Sequence, residues 1–163
     1  MSTTNTNNLK FGVVNGLGEM QVQVPIDPVN FPFNQGDLLF WDGTNHLAKP
    51  VTADGDCATL LGCAKSPSAV SSSLDVSSAP KEKVVQAGFL GIYMMKTTAA
   101  QTYYTGTKLY VGADAQTITT VAGTNAVGVA MLSYGQTSVT GASGVSIPVL
   151  VYHKAFLPLP RVS

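Results

Sequence analysis

Charge is scarce in this chain. Only 11% of its 163 residues are Asp, Glu, Lys or Arg, against about 25% in ordinary soluble domains. Nine acidic residues balance nine basic ones, so the formal net charge is zero. Neutralising a phosphate backbone needs clustered Lys or Arg. The sole arginine is Arg161 and no stretch gathers several lysines, so no nucleic-acid partner is expected. Glutamate is limited to Glu19 and Glu82, and histidine to His46 and His153. Neither histidine has a carboxylate at a telling spacing, and no G-x-S-x-G elbow accompanies the many serines. Asp54-Gly55-Asp56 lacks the further oxygen ligands and closing Glu of a calcium loop. Gly16-Leu17-Gly18 introduces no helix, which removes a dinucleotide reading. Cys57 and Cys63 match no zinc or redox spacing, and Cys63, in an apolar stretch, reads as a small core residue. No apolar run approaches the roughly 18 residues of a membrane span, and the polar residues 1–8 do not resemble a leader. The expectation is a protein without catalysis, cofactor, metal or membrane partner.

What is present is a unit written twice. Gly36-Asp37-Leu38-Leu39-Phe40-Trp41 is followed by a turn, an apolar stretch and Leu61-Gly62-Cys63-Ala64. Seventy residues on, Gly106-Thr107-Lys108-Leu109-Tyr110-Val111 is followed by a turn, an apolar stretch and Val127-Gly128-Val129-Ala130. Two copies of one β-unit point to a compact barrel or sandwich built by pairing them.

Strand signals run along the rest of the chain. Leu9–Val14 and Met20–Val24 read as short strands, the second with period-two alternation. Pro25 to Phe33 holds three prolines and reads as an extended connector, not a central strand. Asp37–Trp41 and His46–Val51 form a hairpin across Asp42-Gly43, and Thr59–Ala64 follows. Residues 66–80 form a long serine-rich loop of a kind often functional. Lys83–Lys96 is the longest strand, with Gly88 and Gly91 suggesting bulges; Phe89–Met95 is apolar on both faces. Residues 97–100 read as a short helical turn. Strands at 108–111, 117–121 and 126–133 make the second copy. Val145, Ile147, Val149 and Val151 share a face of the last strand, with Pro148 suggesting an edge. The turn aspartates Asp42, Asp54, Asp56 and Asp114 are expected to cap their own backbone. Trp41 reads as packing or an interface anchor, and the Tyr103-Tyr104 pair as rim residues. No amphipathic helix longer than about two turns is seen, so the fold class is all-β: a small β-barrel or β-tulip-like domain with two related β-units. The organisation expected is an N-terminal arm over 1–34, partly disordered before binding, a β-barrel core over 35–154, and an extended tail over 155–163.

The order and spacing of these motifs resemble the capsid-decoration (cement, head-stabilising) proteins of tailed bacteriophages. The residues that carry the likeness are Gln35-Gly36-Asp37-Leu38, Leu61-Gly62-Cys63-Ala64, Val84 to Phe89, Gly106 to Val111, Val127 to Ala130 and Val149 to Tyr152. The long 66–80 loop and the N-terminal arm depart from the pattern. The resemblance implies a homotrimer on the outer surface of the virion, made in the host cytoplasm, with the major capsid protein as partner. It would bridge capsomers at three-fold or quasi-three-fold sites without any chemistry. Phe11, Val13, Phe31 and Phe33 are expected at the capsid contact of the arm, and Phe89, Ile92, Tyr93 and Met95 at the subunit interface. The alternative is an adhesive or glycan-binding β-module of a head fibre or tail, which would want solvent-exposed aromatics clustered at loop tips; Tyr103-Tyr104 is the only pair that reads so.

Overall fold

The computed structural model describes residues 13–14, 17–18, 20–65, 67–68, 83–98, 101–132, 135–141 and 145–155. The molecule is almost all β, with a closed five-stranded barrel and a curled half-barrel sheet. In chain order the strands are β1 (Val13–Val14), β2 (Leu17–Gly18), β3 (Met20–Ile26), β4 (Leu38–Asp42), β5 (Leu47–Pro50) and β6 (Leu60–Ala64). They continue with β7 (Lys83–Thr97), β8 (Gln101–Tyr103), β9 (Lys108–Val111), β10 (Thr117–Thr119), β11 (Gly128–Ala130), β12 (Val139–Gly141) and β13 (Ser146–Val151). A 3₁₀ segment, Asp54–Thr59, links β5 to β6.

The doubled sequence motif is a doubled architecture, and β7 belongs to both copies. The barrel runs β7–β10–β9–β11–β13 and returns to β7. The half-barrel runs β3–β5–β4–β6–β7, with β3 also on β7. Position by position, β3 corresponds to the C-terminal half of β7, β4 to β9, β5 to β10, β6 to β11 and the N-terminal half of β7 to β13. The registers agree. Leu39 faces Gly62 as Leu109 faces Gly128. Trp41 faces Ala48 as Val111 faces Ile118. Ile26 meets Ala48 in parallel as Thr97 meets Ile118. In the half-barrel that parallel contact is a single residue pair.

The repeated glycines explain why the motif has its form. Gly36 and Gly106 sit in matching turns at φ of 88° and 89°, a conformation open to glycine and strained for other residues. Each turn is closed twice. Asp37 N donates to Asn34 O, and Asn34 N to the Asp37 carboxylate; Thr107 N donates to Tyr104 O, and Tyr104 N to the Thr107 hydroxyl. Gly36 N then bonds Ala64 O at 2.7 Å, and Gly106 N bonds Ala130 O at 2.8 Å. At the other end of the motif, a Cβ on Gly128 would lie 2.1 Å from the Leu150 carbonyl, so no side chain fits there.

Alternation along the strands feeds two cores. Val24, Ile26, Phe33, Leu39, Ala48, Leu61 and Ala64 fill the half-barrel. Tyr93, Met95, Leu109, Ile118, Ala130, Ile147 and Val149 belong to the larger core of the barrel. Leu38, Leu60 and Cys63 point away from Leu39 and Leu61 and join that larger core. β6 is therefore buried at every position, which welds the two units together.

Several sequence expectations change. Pro25 is part of a strand: β3 includes it, opposite Val84. The second flank of β3 meets β5 only at Ile26, so the strand has nearly edge character where proline is tolerated. Residues 20–33, expected in an arm, are built into the sheet and the half-barrel core. β13 is not an edge; it lies between β11 and β7. The Pro148 carbonyl accepts from Met131 N, so its nitrogen, on the same side of an extended strand, points beyond Ala130, where the β11 ladder ends. Thr97 ends β7 instead of starting a helical turn, and residues 99–100 lie outside the described residues. Val145 precedes β13 and is 44% exposed. The long strand and its bulge agree with expectation: the register slips where Met20 faces Leu90 and Gln21 faces Gly88.

Candidate interaction surface

The residues expected to make contacts fall into three groups. Phe11 lies outside the described residues, and Val13 is in β1, paired with Gly18. Phe33 is buried in the half-barrel core, its N–H donating to the Ser68 hydroxyl at 2.9 Å. Phe31 is half-buried, with the Lys49 ammonium 4.0 Å from its ring centre; Lys49 also pairs with Asp42. Phe31 thus fastens the connector to β5, the very joint that backbone pairing leaves thin. Gln101 does the same in the barrel, its amide bonding the Thr119 hydroxyl at 3.1 Å and Thr120 N at 2.8 Å.

Phe89 is in β7 opposite the register slip. Ile92, Tyr93 and Met95 are 6%, 1% and 0% exposed within the single chain. Ile92, Tyr93 and Met95 are covered by the chain's own sheets, so these three side chains leave no surface for a partner. Tyr103 and Tyr104 separate likewise. Tyr103 is fully buried and donates to Gln101 Oε1 at 3.0 Å, while Tyr104 is 57% exposed. Trp41 is half-buried against the half-barrel core.

Polar side chains do structural work at the seam between the units. Asp37 is buried and accepts from Asn34 N at 2.8 Å and from Gln116 Nε2 at 2.6 Å. Burial pushes its carboxyl above the usual value, against the lowering effect of those bonds; nearby Asp114 adds to the rise. Beside it, Leu38 N donates to Ala115 O. On the far side of the seam, the Asp54 carboxylate accepts from Thr124 N at 3.0 Å and Asn125 N at 3.2 Å. A Cβ on Gly123 would come within 2.1 Å of that carboxylate. Lys154 N and Ala155 N both bond Leu60 O, and His153 Nδ1 lies 3.2 Å from Leu61 O. Other aspartates cap their own turns as expected. Asp42 accepts from Thr44 N and Asn45 N, and the Lys49 ammonium holds its carboxyl well below the ordinary range.

Both cysteines are buried and neither forms a disulfide, and desolvation pushes the Cys57 thiol up to about 12. At neutral pH it is a thiol, a poor nucleophile and metal ligand. Among the described residues, no group of three His, Cys, Asp or Glu is placed to hold a metal ion, and no helix is long and apolar enough to cross a membrane. Large apolar side chains reach solvent at Val29, Tyr104, Val121 and Val145. No family model matches the chain, nor does any curated protein or solved structure.

Proposed function

We propose that the chain is a structural virion protein that binds the outer surface of a phage capsid and stabilises it by bridging capsomers as a trimer. One observation carries the reading. The residues that resemble the decoration family are the framework of both units: the Gly36 and Gly106 turns, their bonds to Ala64 and Ala130, and the close approach at Gly128. Motifs that hold the fold together support a reading drawn from their order and spacing. The charge-poor composition agrees with it, because a protein that lives docked on a large surface avoids the cost of desolvating charges. No catalytic role is assigned. The capsid contact is assigned to the segment before β3, with Phe11 and Val13 as its apolar residues, since Phe31 and Phe33 are committed to the fold.

The test is co-sedimentation of the purified full chain with expanded shells that lack their decoration protein. The chain should pellet with expanded shells in a saturable ratio and stay in the supernatant with unexpanded ones. Failure to pellet with any shell would overturn the reading and favour the adhesive one, for which exposed Tyr104 is the available aromatic platform.

A further inference from the structure

We propose that copies of this chain meet through the β8–β12 ribbon, edge to edge. The proposal deepens the trimer part of the function above and does not depend on shell binding. β8 and β12 pair with each other and with no other strand among the described residues. The ribbon has an inner face, where Tyr103 is opposite Val139 and both pack on the barrel core. Its outer face carries the exposed pair Thr102 and Thr140. Exposed Tyr104 follows directly. A two-stranded ribbon is marginal in water unless something covers it, and the core covers only one side.

Charge is absent from this exposed place. Residues 97–107 and 131–145 contain no Asp, Glu, Lys, Arg or Pro, and residues 115–153 contain no charged side chain of those four types. Proteins guard free strand edges with lysine, proline or inward charges. The thin joint of the half-barrel is guarded in this way, by Pro25 in β3 and by Lys49 and Pro50 in β5. The ribbon has no guard. An unguarded edge on a folded protein is a pairing edge, and depletion of charge is the compositional mark of an interface centre. A second copy is the occupant that suits it, because an uncharged surface meets its own copy without like-charge repulsion. Among the described residues the ribbon has two different edges without a strand partner, so β12 of one copy against β8 of the next is a head-to-tail contact, which closes into a ring when the rotation between copies closes. Among the described residues the half-barrel has no such ribbon: its counterpart of β8 runs through Phe31, Pro32 and Phe33, and the Phe33 backbone bonds Ser68.

Light scattering on the full chain across a concentration series tests this, with two ribbon variants, Tyr104→Lys and Thr102→Lys/Thr140→Lys, and Val29→Lys as a control. Val29 is 39% exposed and lies in the connector after β3, in the other unit. The wild type and the Val29→Lys variant should assemble beyond the 17.0 kDa of one chain. The ribbon variants should associate at least about a hundredfold more weakly, as like charges brought face to face demand, with unchanged circular dichroism. All substituted positions are exposed; the two lysines of the double variant also face each other within one ribbon, so Tyr104→Lys, which adds no such pair, separates loss of assembly from loss of the ribbon. A wild type that stays at one chain's mass throughout, or ribbon variants that assemble like the wild type, would overturn the proposal. Loss of shell binding with assembly intact would count against the function and leave the ribbon standing.

Discussion

At the scale of single residues, the two turn glycines and one buried aspartate carry the clearest consequences. Gly106 has open space around its would-be Cβ but a φ of 89°. Gly106→Ala should therefore destabilise by about 1–2 kcal/mol through backbone strain alone. Gly43 is equally open and lacks the positive φ, so Gly43→Ala should be neutral or stabilising by up to about 1 kcal/mol. Urea denaturation of the two variants separates conformation from packing. Asp37 governs a pH effect. Its folded carboxyl sits above its ordinary 3.8 because of burial. Between those two values the native state holds a proton that the unfolded chain has released. Its contribution is fully present below the ordinary value and lost as pH rises through the folded one. Asp42 acts in the opposite sense, its contribution being lost as pH falls below the ordinary carboxylate range. Asp37→Asn removes only the first effect. Relative to the wild type, the variant should lose stability on going from about pH 7 to about pH 4, measured as the difference between their denaturation midpoints. An unchanged difference would show that Asp37 titrates normally.

At the scale of elements, the sequence made the paired units and the long strand legible, because their signals are local: a glycine turn, a hairpin, an unbroken apolar run. β3 was only half legible. Its alternation pointed to a strand, but the proline cluster drew the boundary of an arm across residues that the fold uses. Nothing local distinguishes Pro25 beside a thin joint from Pro25 in a linker. The seam was not legible at all. Asp42 and Asp54 look alike in sequence, each in a turn with glycine, yet Asp42 caps its own loop and Asp54 holds Thr124 and Asn125 in the other unit. The subunit assignment of Ile92, Tyr93 and Met95 misled for a similar reason: on a strand shared by two units these three side chains are buried within the single chain. A truncation pair tests the role of β3. Removing residues 1–12 should leave the melting temperature within a few degrees of the wild type and abolish shell binding. Removing residues 1–26 deletes the strand that pairs with β7 over seven residues and carries Ile26 into the core. That product should fail to fold cooperatively by calorimetry, since losing one buried side chain of this size already costs about 2–5 kcal/mol.

At the scale of the whole molecule, the chain is two versions of one unit with different surfaces. The half-barrel carries Asp27, Asp37, Asp42, Lys49, Asp54, Asp56 and Lys65, whereas the barrel strands and loops after Thr97 hold only Lys108 and Asp114 before Lys154. Such a division suits a protein with one uncharged side for its own copies and a segment before β3 for its support. The most direct test of the central claim is the melting temperature of expanded shells with and without saturating amounts of the full chain. The account predicts that bound chain raises the temperature at which shells rupture, and that the 1–12 deletion does not. Saturable binding that leaves the rupture temperature unchanged would contradict it.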